Sequence, residues 1–122
     1  MPTILVVEDN PINMKLVVLL LETASHKVLT AISAEAGLTI AREQQPDLIL
    51  MDIQLAGMDG LEATELLKID PKTSSIPVIA LTALAMKGDE ERIMAAGCDG
   101  YIAKPINYKE FLATVASSLN HP

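Results

Sequence analysis

Several apolar runs in this chain stop at residues that have chemistry to offer. Glu8 and Asp9 follow the run 3–7, Asp52 follows 47–51, Thr82 follows 76–81, and Lys104, with Pro105 behind it, follows 100–103. Three carboxylates and one ammonium, gathered at one edge, make a usable chemical kit. Crowded carboxylates repel one another, so without a cation at least one tends to take up a proton. A hard divalent ion relieves that repulsion, and Mg²⁺ prefers one or two protein carboxylates, several waters and a phosphate oxygen to a closed protein cage. A carboxylate can also attack phosphorus and become an acyl phosphate. Asp52, on the middle run, is best placed as that nucleophile. Glu8 and Asp9 would hold the metal, Lys104 would pair with a phosphoryl oxygen, and Thr82 would donate a hydroxyl hydrogen bond to another.

These residues are far apart in sequence, so the chemistry needs a fold that collects them. Five short apolar runs, 3–7, 27–31, 47–51, 76–81 and 100–103, alternate with stretches at helical spacing near 10–23, 34–43, 60–69, 87–96 and 107–119. Several runs lack polar alternation, as expected of parallel strands covered on both faces. Asn10-Pro11 reads as an N-cap followed by proline at the first helical position. Asn107 is a second cap, with Glu110 three residues on in the capping-box position. The alternation predicts an α/β fold with a parallel sheet and helices on both faces. In such sheets ligands bind beyond the carboxyl ends of the strands, and adjacent strand ends lie about 5 Å apart.

The chain has 122 residues, the size of one domain, and half of them are apolar, enough for a single core. Tyr101, Tyr108 and Phe111 are its only aromatic residues, so the core must be built of Ile, Leu, Val, Met and Ala, and a base-stacking platform is not expected. A formal net charge of −7 disfavours nucleic acid as a direct partner. The longest apolar run, 16–21, falls far short of the roughly 18 to 20 residues that cross a bilayer. No basic and hydrophobic leader opens the chain, and Cys98 is its single cysteine, so a reducing cytoplasm is the expected setting.

Four motifs together resemble the receiver domains of two-component response regulators. They are Val6-Val7-Glu8-Asp9-Asn10, Leu50-Met51-Asp52-Ile53-Gln54-Leu55 with Met58-Asp59-Gly60, Ala80-Leu81-Thr82-Ala83, and Ala103-Lys104-Pro105. Each alone is weak, but four in order at strand ends are specific. The resemblance runs from Thr3 to Leu119 and implies a doubly wound, five-stranded sheet of flavodoxin-like order 2-1-3-4-5, forming a single receiver domain over 1–122 with no output domain. It implies that Asp52 accepts a phosphoryl group from a histidine kinase or histidine phosphotransfer protein. It also implies Mg²⁺ bound by Glu8, Asp9, Asp52 and the backbone carbonyl of Gln54, a switch pair of Thr82 and Tyr101, and a cis Lys104-Pro105 peptide. The segment 82–92, with 13–16, looks most like stand-alone receivers of the DivK type, which act in bacterial cell-cycle and polarity control. One departure is Ala56, where a proline commonly follows the leucine of the loop after Asp52. That change frees the loop backbone and removes no chemical group, so it bears on loop rigidity and not on phosphorylation.

Plainer readings stand beside these. Glu8 and Asp9 could merely end a strand and favour a helix N-terminus, Thr82 could be an ordinary β-branched strand residue, and Tyr101 could simply pack on the last strand. Cys98 reads as a small space-filling hydrophobe, His26 as a surface turn residue, and 89–92 as a solvated helix face beside the surface that partners read. A flavodoxin-like electron carrier would need its first loop to cradle a flavin phosphate, which Glu8 and Asp9 would repel. A phosphatase using Asp52 would need an acid two positions on, where Gln54 stands. Within the family, the chain could also be the receiver segment of a hybrid histidine kinase. The reading favoured by the resemblance is a switch, not an enzyme, limited to self-directed phosphoryl transfer and autodephosphorylation. Its output would be a protein target bound in trans through the fourth helix, fifth strand and fifth helix, with the chain a monomer or a weak phosphorylation-dependent dimer.

Overall fold

The chain is described by a computed structural model over residues 1–83 and 87–119. Its elements alternate strictly: β1 (Thr3–Val7), α1 (Pro11–Thr23), β2 (Lys27–Ala31), α2 (Ala34–Gln44), β3 (Leu48–Asp52), α3 (Gly60–Ile69), β4 (Val78–Thr82), α4 (Lys87–Ala95), β5 (Gly100–Ala103) and α5 (Tyr108–Leu119). The strands pair in parallel in the order β2-β1-β3-β4-β5, as expected. The central strands β3 and β4 are buried along their whole length, which explains why they carry no polar alternation.

Side chains along each strand point alternately to the two faces and so build two cores. Leu5, Val7, Ile49, Met51, Val78 and Ala80 pack under α2, α3 and α4 with Ala41, Leu67 and Ile93. Ile4, Val6, Leu50, Ile79 and Leu81 pack on the opposite face with Val17 and Leu21 of α1 and Phe111 and Val115 of α5. Each fully buried Val, Leu, Ile, Met or Phe among them contributes about 1.5–3 kcal/mol. No helix among the described residues is long and apolar enough to cross a membrane.

Helix starts follow the local sequence. Asn10 Oδ1 accepts from the N–H groups of Ile12 and Asn13, with Pro11 at the first position of α1. Asp59 caps α3 through the Glu62 N–H, and Asn107 Oδ1 accepts from the N–H groups of Lys109 and Glu110 at the start of α5. Two strands are displaced from the sequence reading. β3 begins at Leu48, because Asp47 is drawn to Thr3, accepting its N–H at 2.8 Å. β4 begins at Val78, because Pro77 has no N–H to give a ladder and the Ile76 N–H turns back to the Thr73 carbonyl. Asp52 and Thr82 therefore close their strands from within, where the sheet holds their backbones.

Of the motif 82–92, Leu84, Ala85 and Met86 lie outside the described residues. The Lys104–Pro105 peptide is cis, as expected. Cys98 is buried, while His26 is only half-buried in the turn before β2 and its Nδ1 lies out of solvent with no hydrogen-bond partner.

Candidate functional site: an acidic cleft at the sheet edge

The parallel register puts Val7 beside Met51, Asp52 beside Leu81 and Thr82 beside Ala103, so the strand ends meet along one edge. Glu8 and Asp52 there are only 1% and 2% exposed. Buried carboxylates at that depth require partners. A single ammonium serves both: Lys104 Nζ lies 3.0 Å from Asp52 Oδ2 and 3.1 Å from Glu8 Oε1. Backbone donors take the remaining oxygens, with the Gln54 N–H on Asp52 Oδ1 at 2.9 Å and the Asn10 N–H on Glu8 Oε2 at 3.1 Å. Asp9 is exposed, and its Oδ2 accepts the Ala56 N–H at 3.1 Å. The departure at Ala56 thus adds a donor to the cleft, a point that the reading of loop rigidity alone had missed.

Glu8, Asp9 and Asp52 each offer an oxygen, and these oxygens lie within 4.8 Å of one another. Three carboxylates face one ammonium. Burial pushes the Glu8 carboxyl above its ordinary value, and its hydrogen bond with Asp52 pushes the same way. Burial also works against the charge on Asp52, but hydrogen bonds from Glu8, the Gln54 N–H and Lys104 outweigh it and hold that carboxyl below its ordinary value. Burial lowers Lys104, yet its bonds to Asp52 and Glu8 prevail and raise it. Of the two buried carboxyls Glu8 is therefore the one that takes up a proton more readily, and a divalent cation would favour its ionised form. This donor set suits Mg²⁺, which takes few carboxylates and leaves room for water and phosphate oxygen.

Thr82 is buried at the end of β4, and its carbonyl accepts the Lys104 N–H at 2.8 Å, tying those two ends together. Gln54 enters the cleft through its N–H. Tyr101 stands apart from the carboxylates: it pairs with Ala80 in mid-sheet, its half-buried ring packs on the core, and its hydroxyl donates to Glu90 of α4. That bond raises the Tyr101 phenol above its ordinary value. A groove of about 840 Å³ between α2 and α3, bordered by Leu38, Arg42, Leu66 and Ile69, lies toward the C-terminal ends of these helices and brings no comparable cluster together among the described residues.

Gly60, part of the motif Met58-Asp59-Gly60, has a positioning role that the motif did not state. A Cβ there would stand 2.2 Å from the Asp52 carbonyl oxygen and 2.7 Å from the Ile53 Cα, so α3 docks against the end of β3 only because no side chain intervenes. Gly60→Ala is expected to destabilise the protein by about 1–3 kcal/mol through overpacking. Urea denaturation checks this, and unchanged stability would show that the close approach is not required.

A doubly wound α/β sheet with a buried acid–lysine cluster at its strand ends offers a divalent cation a site along one edge. The chain belongs to the response regulator receiver domain family, whose pattern matches residues 4–116. It is 50% identical over 117 residues to the polar-differentiation response regulator DivK of Brucella ovis, covering 96% of this chain and 95% of that one, and DivK of Brucella anthropi is equally similar. Among solved structures it resembles the receiver domain of a sensor histidine kinase from Pseudomonas aeruginosa, which has magnesium coordinated in its active-site cleft; identity is 32%, the TM-score 0.92 and coverage 98% of both chains. Chemotaxis protein CheY4 of Vibrio cholerae, at 24% identity and TM-score 0.91 over 97% of this chain and 98% of that one, shares the fold. The protein is therefore a DivK-like receiver of two-component signalling, a class of switches and not of turnover enzymes.

Proposed function

We propose that Asp52 is the phosphoacceptor of a two-component phosphorelay, and that Glu8, Asp9, Asp52 and the Gln54 backbone carbonyl hold Mg²⁺ for the transfer. The observation that carries this is the bridging of two buried carboxylates by Lys104, beside a third carboxylate oxygen within 4.8 Å. The donor is a phosphohistidine on a histidine kinase or phosphotransfer protein. An Asp52 oxygen attacks phosphorus, the P–N bond breaks as the P–O bond forms, and the histidine nitrogen keeps the released electron pair and takes up a proton. Bound Mg²⁺ supplies positive charge to the phosphoryl oxygens. Lys104 already contacts Asp52 and so follows the new charge onto the phosphoryl group.

Thr82, at the neighbouring strand end, offers its hydroxyl to another phosphoryl oxygen. Its movement toward phosphate opens space for Tyr101, which must leave Glu90 to fill it. The event couples local charge to the face formed by α4, β5 and α5, and that face engages a protein target in the cytoplasm. The receiver, spanning the whole of 1–122, carries this role through protein contacts, as a monomer or a weak phosphorylation-dependent dimer. Likeness to a kinase receiver at 32% identity keeps a hybrid-kinase segment as a second reading, and 50% identity to DivK over nearly the full length of both chains favours the response regulator.

Purified protein with acetyl phosphate and Mg²⁺ should gain the mass of one phosphoryl group, acid-stable and base-labile as an acyl phosphate is, and should gain none with EDTA. No Mg²⁺-dependent gain from acetyl phosphate or from a phosphorylated histidine donor would overturn the proposal.

A further inference from the structure

Each of the three cleft carboxylates is steadied in a different way. Glu8 and Asp52 are buried and share Lys104, and each has a backbone N–H of its own from Asn10 or Gln54. Asp9 is exposed, so burial does not fix its side chain; the contact that reaches it from across the cleft is the Ala56 N–H, 3.1 Å from Oδ2 and 47 residues away in sequence. A proline at position 56 could not make this contact, because proline has no N–H.

We propose that the Ala56 backbone N–H is a positioning contact for Asp9, holding one carboxylate oxygen so that the other is presented to a divalent cation. This rests on the reading of Glu8, Asp9 and Asp52 as the Mg²⁺ site. An amide on one oxygen enforces the single-oxygen mode of binding that suits the small, strictly octahedral Mg²⁺ ion. It also joins the loop between β3 and α3 to the junction of β1 and α1, so that cation binding and loop order reinforce one another. Outer contacts of this kind orient metal ligands, and losing one typically lowers metal affinity by about 10- to 100-fold.

The test compares wild type with Ala56→Pro, which deletes the N–H, and Ala56→Val, which keeps it on an exposed position. Isothermal titration with MgCl₂ should show affinity lowered about tenfold in Ala56→Pro, the lower end of outer-contact effects, and within about twofold of wild type in Ala56→Val. Acetyl phosphate should modify both variants at the wild-type rate once Mg²⁺ is saturating, which a general loss of structure would not permit. In metal-free wild type, the residue 56 amide should exchange with solvent more slowly than in Asp9→Ala, which removes the accepting oxygen; this comparison decides the matter if Ala56→Pro does not fold.

Equal or tighter Mg²⁺ binding by a folded Ala56→Pro overturns the positioning role, as does an exchange rate at residue 56 indifferent to Asp9→Ala. Wild type that neither binds Mg²⁺ nor takes up phosphate overturns the site itself, a separate failure.

Discussion

Asp52→Asn should abolish phosphoryl uptake while leaving the protein folded. Of the three cleft carboxylates, Asp52 alone sits at the end of the central strand with one oxygen on Lys104 and the other on the Gln54 N–H. Glu8 is as deeply buried, but burial and its bond with Asp52 raise its carboxyl, so it ionises less readily than Asp52, whose carboxyl is lowered. Asp9 carries no contact to Lys104 among the described bonds, so charge developing there would lack the ammonium. Asparagine is nearly isosteric and still offers an oxygen to the Gln54 N–H. Lys104 keeps Glu8 as its partner, and Glu8, freed of its carboxylate neighbour, moves back toward its ordinary value while burial still raises it. The fold should therefore survive the loss of the nucleophile. Intact-mass measurement after acetyl phosphate and Mg²⁺ should show no added phosphoryl group, and circular dichroism a cooperative melt. Uptake at the wild-type level would remove Asp52 from the mechanism and move the chemistry to Asp9.

Much of this site was legible because parallel strands buried on both faces leave a sharp polar boundary. Glu8, Asp9, Asp52, Thr82 and Lys104 announced themselves by ending apolar runs, and the caps at Asn10 and Asn107 by their residue types. Periodicity gave the βα alternation but could not order the strands; that order came with the family resemblance, since nothing in a single strand says which neighbour it will take. The start of β4 shifted because Pro77 interrupts the ladder inside an apolar run. Less visible still were contacts whose chemistry lies in the backbone or in helix docking. The Ala56 N–H has no side-chain signature, so its bond to Asp9 could not be read from composition. The Tyr101–Glu90 bond depends on how α4 seats beside β5, and the need for glycine at position 60 on how closely α3 approaches Asp52.

Lys104→Met should produce the largest change in stability, and the change should depend on pH and on Mg²⁺. In the metal-free wild type, Glu8 holds its proton above the ordinary 4.5, so the folded state binds more protons than the unfolded chain just above that value. Stability from this group is full below pH 4.5 and is lost as pH rises through the folded value. Asp52 behaves oppositely: its carboxyl lies below the ordinary 3.8, so its contribution is present above 3.8 and is lost as pH falls through the folded value. Methionine fills the volume of the lysine stem but removes the ammonium, leaving two carboxylates of 1% and 2% exposure without their cation. Breaking a buried pair in this way costs about 3–5 kcal/mol at neutral pH. Glu8 then holds its proton more strongly, and Asp52 loses one of the bonds that kept it low, so the loss of stability on raising the pH above the ordinary 4.5 should steepen, a difference to be read at about pH 5 and about pH 8. Mg²⁺, on the proposed site, should act against both losses, since a ligand of the ionised folded state adds about 2.7 kcal/mol at a hundredfold excess over its dissociation constant. Urea denaturation at the two pH values, in EDTA and in saturating Mg²⁺, measures all four conditions. A Lys104→Met protein as stable as wild type in EDTA near pH 8 would mean that Lys104 does not offset the buried acids, and the cleft would need a different source of positive charge.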